Sequence, residues 1–270
     1  MIFVRDKGRM CNNILQYGHL YAWGREHGRQ TMSMRFAYKY PYFRICRTAH
    51  HNFLTYVFAK YAAKWRLIPT VAFDVEGSSE EQEQEMLNRR LIVAEGWYAR
   101  WYDLFAKYKQ EIISLFAFNE TTKAGVDRLL AGMPRADIRL GVHIRRGDYA
   151  TWQGGRYCYD DAQYLSFIGQ FIALHPGKRV QVFICGNDPQ LDRSLYRQAL
   201  PEGCVCFPQG NPGEDLYLLS QCDWLIGAPS TFTLVASMYR DLPLHWILDA
   251  GQPLTPKSFG RFDSLFRHII

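Results

Sequence analysis

The second half of the chain alternates short apolar runs with longer stretches whose apolar residues recur every three or four positions. The runs lie at 138–144, 180–185, 204–207, 224–226 and 244–248. Between and after them, 161–174, 189–200, 214–221 and 231–239 carry helical spacing. Strands alternating with helices predict βαβ units and a parallel sheet. Asp160 or Asp161 stands where the first of these helices needs its cap, and Pro176-Gly177 stops it. The first half opens the same way. Residues 2–4 predict a short strand, Gly8 a turn, 10–27 a helix ended by Gly28, and 31–36 a second strand. The pattern then loses contrast. Residues 76–85 read as an acidic exposed loop running into a helix, 91–94 as a strand, and 104–116 and 123–130 as helices. Met133-Pro134-Arg135 reads as a hinge, giving two α/β domains at 1–134 and 135–270.

A length of 270 residues with 48% hydrophobic content supports a core of that size. The charged start Met1-Ile2-Phe3-Val4-Arg5-Asp6 does not look like a signal peptide, and no run of 18 apolar residues predicts a spanning helix. The spacing of the seven cysteines matches neither a zinc site nor a disulfide framework. The expectation is a soluble, cytoplasmic protein of a reducing compartment. The net charge of +6 is unevenly placed: residues 1–73 carry +10 and residues 74–270 carry −4. Aromatics interleave the basic segment, as in Arg35-Phe36-Ala37-Tyr38-Lys39-Tyr40. Such a surface suits anionic membrane, as a peripheral contact on its inner face, or an acidic glycan. No nucleic-acid module accompanies it, so nucleic acid is not an expected partner.

The sharpest chemistry sits where the run 138–144 stops in Arg145-Arg146-Gly147-Asp148-Tyr149. Ligands of open α/β sheets bind beyond the carboxyl ends of strands. Two guanidinium forks there suit phosphate oxygens. Gly147 permits a positive φ, so the chain turns away at once.

These residues resemble a known family. His143-Ile144-Arg145-Arg146-Gly147-Asp148-Tyr149 is similar to the His-x-Arg-Arg-Gly-Asp motif of glycosyltransferase family 11, the α-1,2-fucosyltransferases. Gly8-Arg9-Met10-Cys11-Asn12-Asn13-Ile14-Leu15-Gln16-Tyr17 resembles the family's N-terminal glycine signature, so Gly8, Arg9, Asn12, Asn13 and Gln16 are candidates. Glu214-Asp215-Leu216-Tyr217-Leu218-Leu219-Ser220-Gln221-Cys222 and Ile226-Gly227-Ala228-Pro229-Ser230-Thr231-Phe232 resemble two later segments, in the right order. Cys11, Asn13, Thr231 and the segment Gly96-Trp97-Tyr98-Ala99-Arg100 depart from the family pattern, more on the acceptor side than the donor side.

The resemblance implies an α/β, GT-B-like fold of two Rossmann-type domains facing across a cleft, with GDP-fucose on the C-terminal one. It implies inverting transfer of fucose to a glycan hydroxyl without a metal or other cofactor. The acceptor would be a bacterial cell-surface polysaccharide or lipopolysaccharide precursor. Arg145 and Arg146 would stabilise the departing diphosphate; which touches it and which braces the strand the sequence leaves open. Ser230, Thr231 and Phe232 would meet the donor at a helix N-terminus, unless Ser230 is a plain cap. Asp215 or Glu214 would accept from guanine, and Asp188 would line the crevice. His143 or Glu95 is a candidate base, with Asp148 a brace and Trp97 and Tyr98 on the acceptor side. The alternative function is a degenerate, non-catalytic member that binds nucleotide sugar or glycan.

Overall fold

Apolar runs too brief for helices bury both their faces only in a parallel sheet covered by helices on each side. This chain builds that arrangement twice. The computed structural model describes residues 1–77, 79–186 and 188–269. Ser78, within the predicted acidic loop, Asn187, at a predicted strand end, and Ile270 lie outside the described residues. The chain divides into two units, Met1–Thr121 and Thr122–Ile270.

The first unit runs β1 (Ile2–Arg5), α1 (Met10–Glu26), β2 (Thr31–Ser33), α2 (Phe53–Lys64), β3 (Thr70–Ala72), α3 (Glu80–Asn88), β4 (Ile92–Glu95), α4 (Tyr102–Lys107) and α5 (Lys109–Leu115). Its sheet is parallel, in the order β2-β1-β4-β3. The strand expected over 31–36 pairs only through Ser33. The Met34 N–H still donates to the Val4 carbonyl at 2.9 Å before the chain leaves the sheet, while the Ser33 N–H, on the free edge of β2, donates to His51 Nε2 at 3.0 Å. The helix expected over 104–116 is two helices, because Tyr108 adopts non-helical angles of φ −101° and ψ 13°. Strand β3 and helix α2 were not expected. Helix α2 has Ala59 and Ala62 buried, yet it also exposes Phe53, Leu54 and Phe58. Apolar residues on both faces erase the periodic contrast by which a helix is recognised.

The second unit runs α6 (Glu120–Gly132), β5 (Ile138–Ile144), α7 (Asp161–Ala173), β6 (Val180–Gly186), α8 (Arg193–Ala199), β7 (Val205–Cys206), α9 (Pro212–Ser220), β8 (Trp224–Gly227), α10 (Thr231–Met238), β9 (Leu244–Trp246) and α11 (Phe262–Leu265). The parallel sheet has the order β7-β6-β5-β8-β9. Helix α6 packs with this unit: Tyr217 donates to Asp127 at 2.9 Å, and Gly125 lies against Glu214. The division therefore falls in the first turn of α6, about one helix earlier than the expected hinge at Met133-Pro134-Arg135. Helix α8 begins at Arg193 instead of 189, capped by Asp192, and α9 begins at Pro212 in a capping box between Asn211 and Glu214.

The strand order locates the site. From β5 the chain steps outward through β6 and β7, then returns to build β8 and β9 on the other side. The switch lies between β5 and β8, where the loops leaving two adjacent strands diverge and open a crevice. In the first unit the corresponding switch lies between β1 and β4.

Gly141 makes β5 compatible with the helix above it. A Cβ at this position would stand 2.7 Å from side-chain carbons of both Leu219 and Leu225. Gly141→Val should therefore cost about 1–3 kcal/mol through overpacking. Calorimetric melting should show the loss; an unchanged melting temperature would mean that α9 does not seat on this strand.

Candidate active site

Strand β5 delivers Arg145 and Arg146 side by side, and their surroundings separate them. Each nitrogen of the Arg146 guanidinium has a protein partner. Its Nε donates to the Tyr159 carbonyl at 2.9 Å and its Nη1 to Asp188 at 2.9 Å, while Nη2 donates to Asp161. Asp161 also accepts from the Tyr196 hydroxyl at 2.9 Å, and Asp188 accepts the Gln190 N–H at 2.9 Å. All three charged side chains are largely buried. Arg146 is thus a clamp between the ends of β5 and β6 and the start of α7. Asp188 is spent on the clamp and does not stand open to a donor. Asp161, which the sequence offered only as a cap, is its third member. Asp160 takes the capping role in a reciprocal box with Gln163, leaving Asp161 free to turn toward the arginine.

Arg145 is half-buried with fewer partners. Its Nη2 donates to Asp148 at 2.9 Å, its guanidinium lies 5.3 Å from the Tyr149 ring centroid, and its buried Nε has no hydrogen-bond partner. Gly147 follows with φ 67°, and the chain turns into Tyr149. The Tyr149 hydroxyl donates to the Pro229 carbonyl, tying the arginine turn to the loop after β8. Arg145 therefore stands at the switch between β5 and β8, beside the start of α10.

At that start Ser230 accepts the Thr233 N–H at 3.4 Å, the geometry of an ordinary N-cap. Thr231 and Phe232 begin the helix, both half-buried. Phe232 stacks on His143, with centroids 4.6 Å apart and planes at 15°. His143 is buried, its Nδ1 has no hydrogen-bond partner, and burial, with the Arg145 charge second, pulls its pKa down to about 3. A neutral ring so weakly basic is a poor proton acceptor, which corrects the expectation of a base here. Asp148 is the carboxylate that braces Arg145.

Asp215 lies in the first turn of α9 and meets the Cys185 thiol near the end of β6. Burial, reinforced by the Glu214 charge, raises its pKa to about 7. Glu214 is spent in the capping box, where it accepts the Asn211 N–H at 2.8 Å. Of the two acids, Asp215 is the one left to meet a ligand.

The candidates of the first unit gather at its own switch. Gly8 has φ 88°, and Arg9 caps α1. Gln16 holds the turn, accepting the Lys7 N–H at 3.2 Å and donating to the carbonyls of Lys7 at 2.7 Å and Asn12 at 3.1 Å. Asn13 is buried, with both amide atoms lacking a partner. At the end of β4, Glu95 pairs with Arg5 at 2.9 Å and lies 4.0 Å from Lys7, so it is not an unencumbered base. Trp97 carries the Arg100 guanidinium 4.0 Å above its ring, and Tyr98 lines a depression with Phe73, Asp74 and Glu76. Asp6, which the sequence did not single out, is fully buried next to Ser33, and burial raises its pKa to about 7.

Two outcomes follow. Arg146→Ala leaves Asp161 and Asp188 as buried carboxylates without their cation, which should cost about 3–5 kcal/mol. Denaturant unfolding should show it, and a wild-type midpoint would rule out the clamp. Asp6 and Asp215 hold protons in the folded state that the unfolded chain releases from its ordinary value of 3.8 upward. The unfolded state then binds fewer protons, so stability should fall as pH rises from about 4 to about 7 and level off above. Asp215→Asn should flatten part of that decline in melting temperature, and an unchanged profile would show that Asp215 ionises freely.

No family model matches the chain. In sequence it is similar to galactoside 2-α-L-fucosyltransferase Sec1 of Mus musculus, 24% identical over 95% of this chain and 69% of that protein. It is also similar to galactoside α-(1,2)-fucosyltransferase 1 of Bos taurus, 27% identical over 85% and 63%. The chain thus spans about two thirds of the length of these curated relatives. Among solved structures it superposes on a GDP complex of an arginine-to-lysine variant of Arabidopsis thaliana FUT1, with TM-score 0.67, 15% identity and coverage of 96% and 73%. Fucosyltransferase NodZ from Bradyrhizobium matches with TM-score 0.58, 16% identity and coverage of 93% and 96%. By sequence the chain is like the α-1,2-fucosyltransferases of glycosyltransferase family 11, and by architecture it has the GT-B-like α/β fold of the fucosyltransferases.

Proposed function

We propose that this chain is a glycosyltransferase that moves fucose from GDP-fucose to a hydroxyl of a glycan acceptor, a bacterial cell-surface glycan precursor, with inversion and without a metal ion. The sequence relatives are α-1,2-fucosyltransferases, and structures of similar fold are described with GDP or GDP-fucose bound. The observation that carries the reading is Arg145. A half-buried guanidinium with one carboxylate partner and a buried, unpartnered Nε, placed at a sheet's switch point, is a site prepared for an anion. As the glycosidic bond breaks, charge grows on the departing diphosphate. A cation already fixed at that place stabilises the charge without reorganising. Thr231 and the N–H groups in the first turn of α10 are the neighbouring donors. Asp215, as a carboxylate, suits the N1–H and N2–H₂ donors of guanine.

Arg145→Ala should leave the fold intact and slow turnover by about 10- to 150-fold, the equivalent of one charge-assisted hydrogen bond of roughly 1.5–3 kcal/mol. Arg145→Lys should recover part of this, because it restores charge but not the planar fork. Full activity in Arg145→Ala would move the diphosphate elsewhere. In calorimetry GDP should bind in the presence of chelator and more tightly than UDP. A magnesium or manganese requirement would overturn the metal-free reading. GDP binding without hydrolysis or transfer of fucose would mark the chain as the non-catalytic binder.

A further inference from the structure

Helix α2 and the turn after it carry an apolar surface for which the interior of the first unit has no use. Phe53, Leu54, Phe58, Trp65 and Leu67 are each more than half exposed, Leu54 at 81%. Around the helix Phe53, Leu54, Phe58 and Tyr61 fall within about 140° of one another at 3.6 residues per turn. Ala59 and Ala62 occupy the opposite face and pack on Phe3, Met32 and Val93. The helix is therefore seated in the fold by small residues and presents its large ones outward. Asn52 caps it, accepting the Thr55 N–H at 2.9 Å, so the exposed face belongs to a formed helix. Tyr61 and Trp65 lie with ring centroids 5.5 Å apart, giving a continuous aromatic ridge.

The segment that carries this ridge has charge of one sign. Residues 27–73 contain eight Lys and Arg and no Asp or Glu. Lys60 and Lys64 run along one flank of the stripe, and Arg66 follows it. The Lys60 ammonium lies 5.7 Å from the Tyr56 ring centroid and 5.6 Å from that of Tyr61. We propose that α2 and the turn through Leu67 form a membrane-docking element that lies in the plane of an anionic bilayer surface, with Leu54, Phe58 and Trp65 entering the headgroup–acyl boundary and Lys60, Lys64 and Arg66 meeting anionic headgroups. An apolar face with basic flanks is the composition of interfacial helices. Aromatic rings and long basic side chains, each with an apolar body and a polar tip, suit that boundary. A second copy of this chain fits the face less well, because the same positive charges would meet one another with no acid in the segment to neutralise them. None of the described helices is long and apolar enough to span a membrane.

The test uses the full chain and vesicles of phosphatidylcholine alone or mixed with phosphatidylglycerol. Co-sedimentation should require the anionic lipid and weaken with salt, because surface charges are screened over about 8 Å at physiological ionic strength. Leu54→Glu and Trp65→Ser should each weaken binding by about tenfold or more. Lys60→Glu with Lys64→Glu should abolish the preference for anionic lipid. Because these side chains are exposed, all variants should keep the wild-type melting temperature and GDP affinity, which separates failure of this proposal from failure of the donor assignment. Brominated lipid should quench tryptophan fluorescence in the wild type and distinctly less in Trp65→Phe. Equal recovery on neutral and anionic vesicles, or undiminished binding by Leu54→Glu, would overturn the proposal. So would light scattering that finds a dimer dissociated by Leu54→Glu, which would assign the face to a second copy.

Discussion

A guanidinium group cannot shed its charge when it is buried, so it must be given acceptors. The second unit meets that demand at Arg146 with two carboxylates and a carbonyl, drawn from the end of β6, the first turn of α7 and the loop before it. Two stretches, 159–161 and the one at Asp188, are thereby held to one atom group at the end of β5. The same contacts settle what Arg145 can do. With Asp161 and Asp188 engaged by its neighbour, it keeps Asp148 and the Tyr149 ring. Two adjacent arginines, identical in sequence terms, thus divide into one that holds the crevice and one that faces it.

The rest of the site follows from the strand order. Because β8 pairs with β5, the start of α10 comes beside the arginine turn, and the Tyr149–Pro229 hydrogen bond fastens the two loops together. His143 and Phe232 stack beneath them as a packed, neutral pair. Burial that depresses the imidazole also raises the Asp215 carboxyl, since in both cases it is the charged form that loses water. The first unit repeats the scheme at its own switch with different chemistry. Arg5 and Glu95, opposite one another in register, neutralise each other, and Gln16 holds the glycine turn.

Helix α2 shows the opposite relation between pattern and structure. In the strands of the second unit, apolar residues report burial. In α2 the larger apolar residues are the exposed ones, and the burial is done by alanines. A reading that equates apolar with interior has no means of orienting such a helix. The unbroken basic charge of residues 27–73 is the sequence signal that does mark it.

What the sequence determined by itself was the succession of βαβ units in the second half, the strand Ile138–Ile144, the motif that ends it and the positive φ at Gly147. Each rests on local physics: apolar periodicity, the limits of side-chain rotation, and the freedom of glycine. The resemblance built on those residues led to the right fold class. Tertiary structure alone decided which arginine is satisfied, since that depends on Asp161 and Asp188, which lie 15 and 42 residues further along the chain. It likewise decided that most of α6 sides with the second unit, that β2 stops short of Phe36, and that His143 is stacked against Phe232. Partners far apart in sequence leave no local pattern, and the energy of a buried charge is set by those partners.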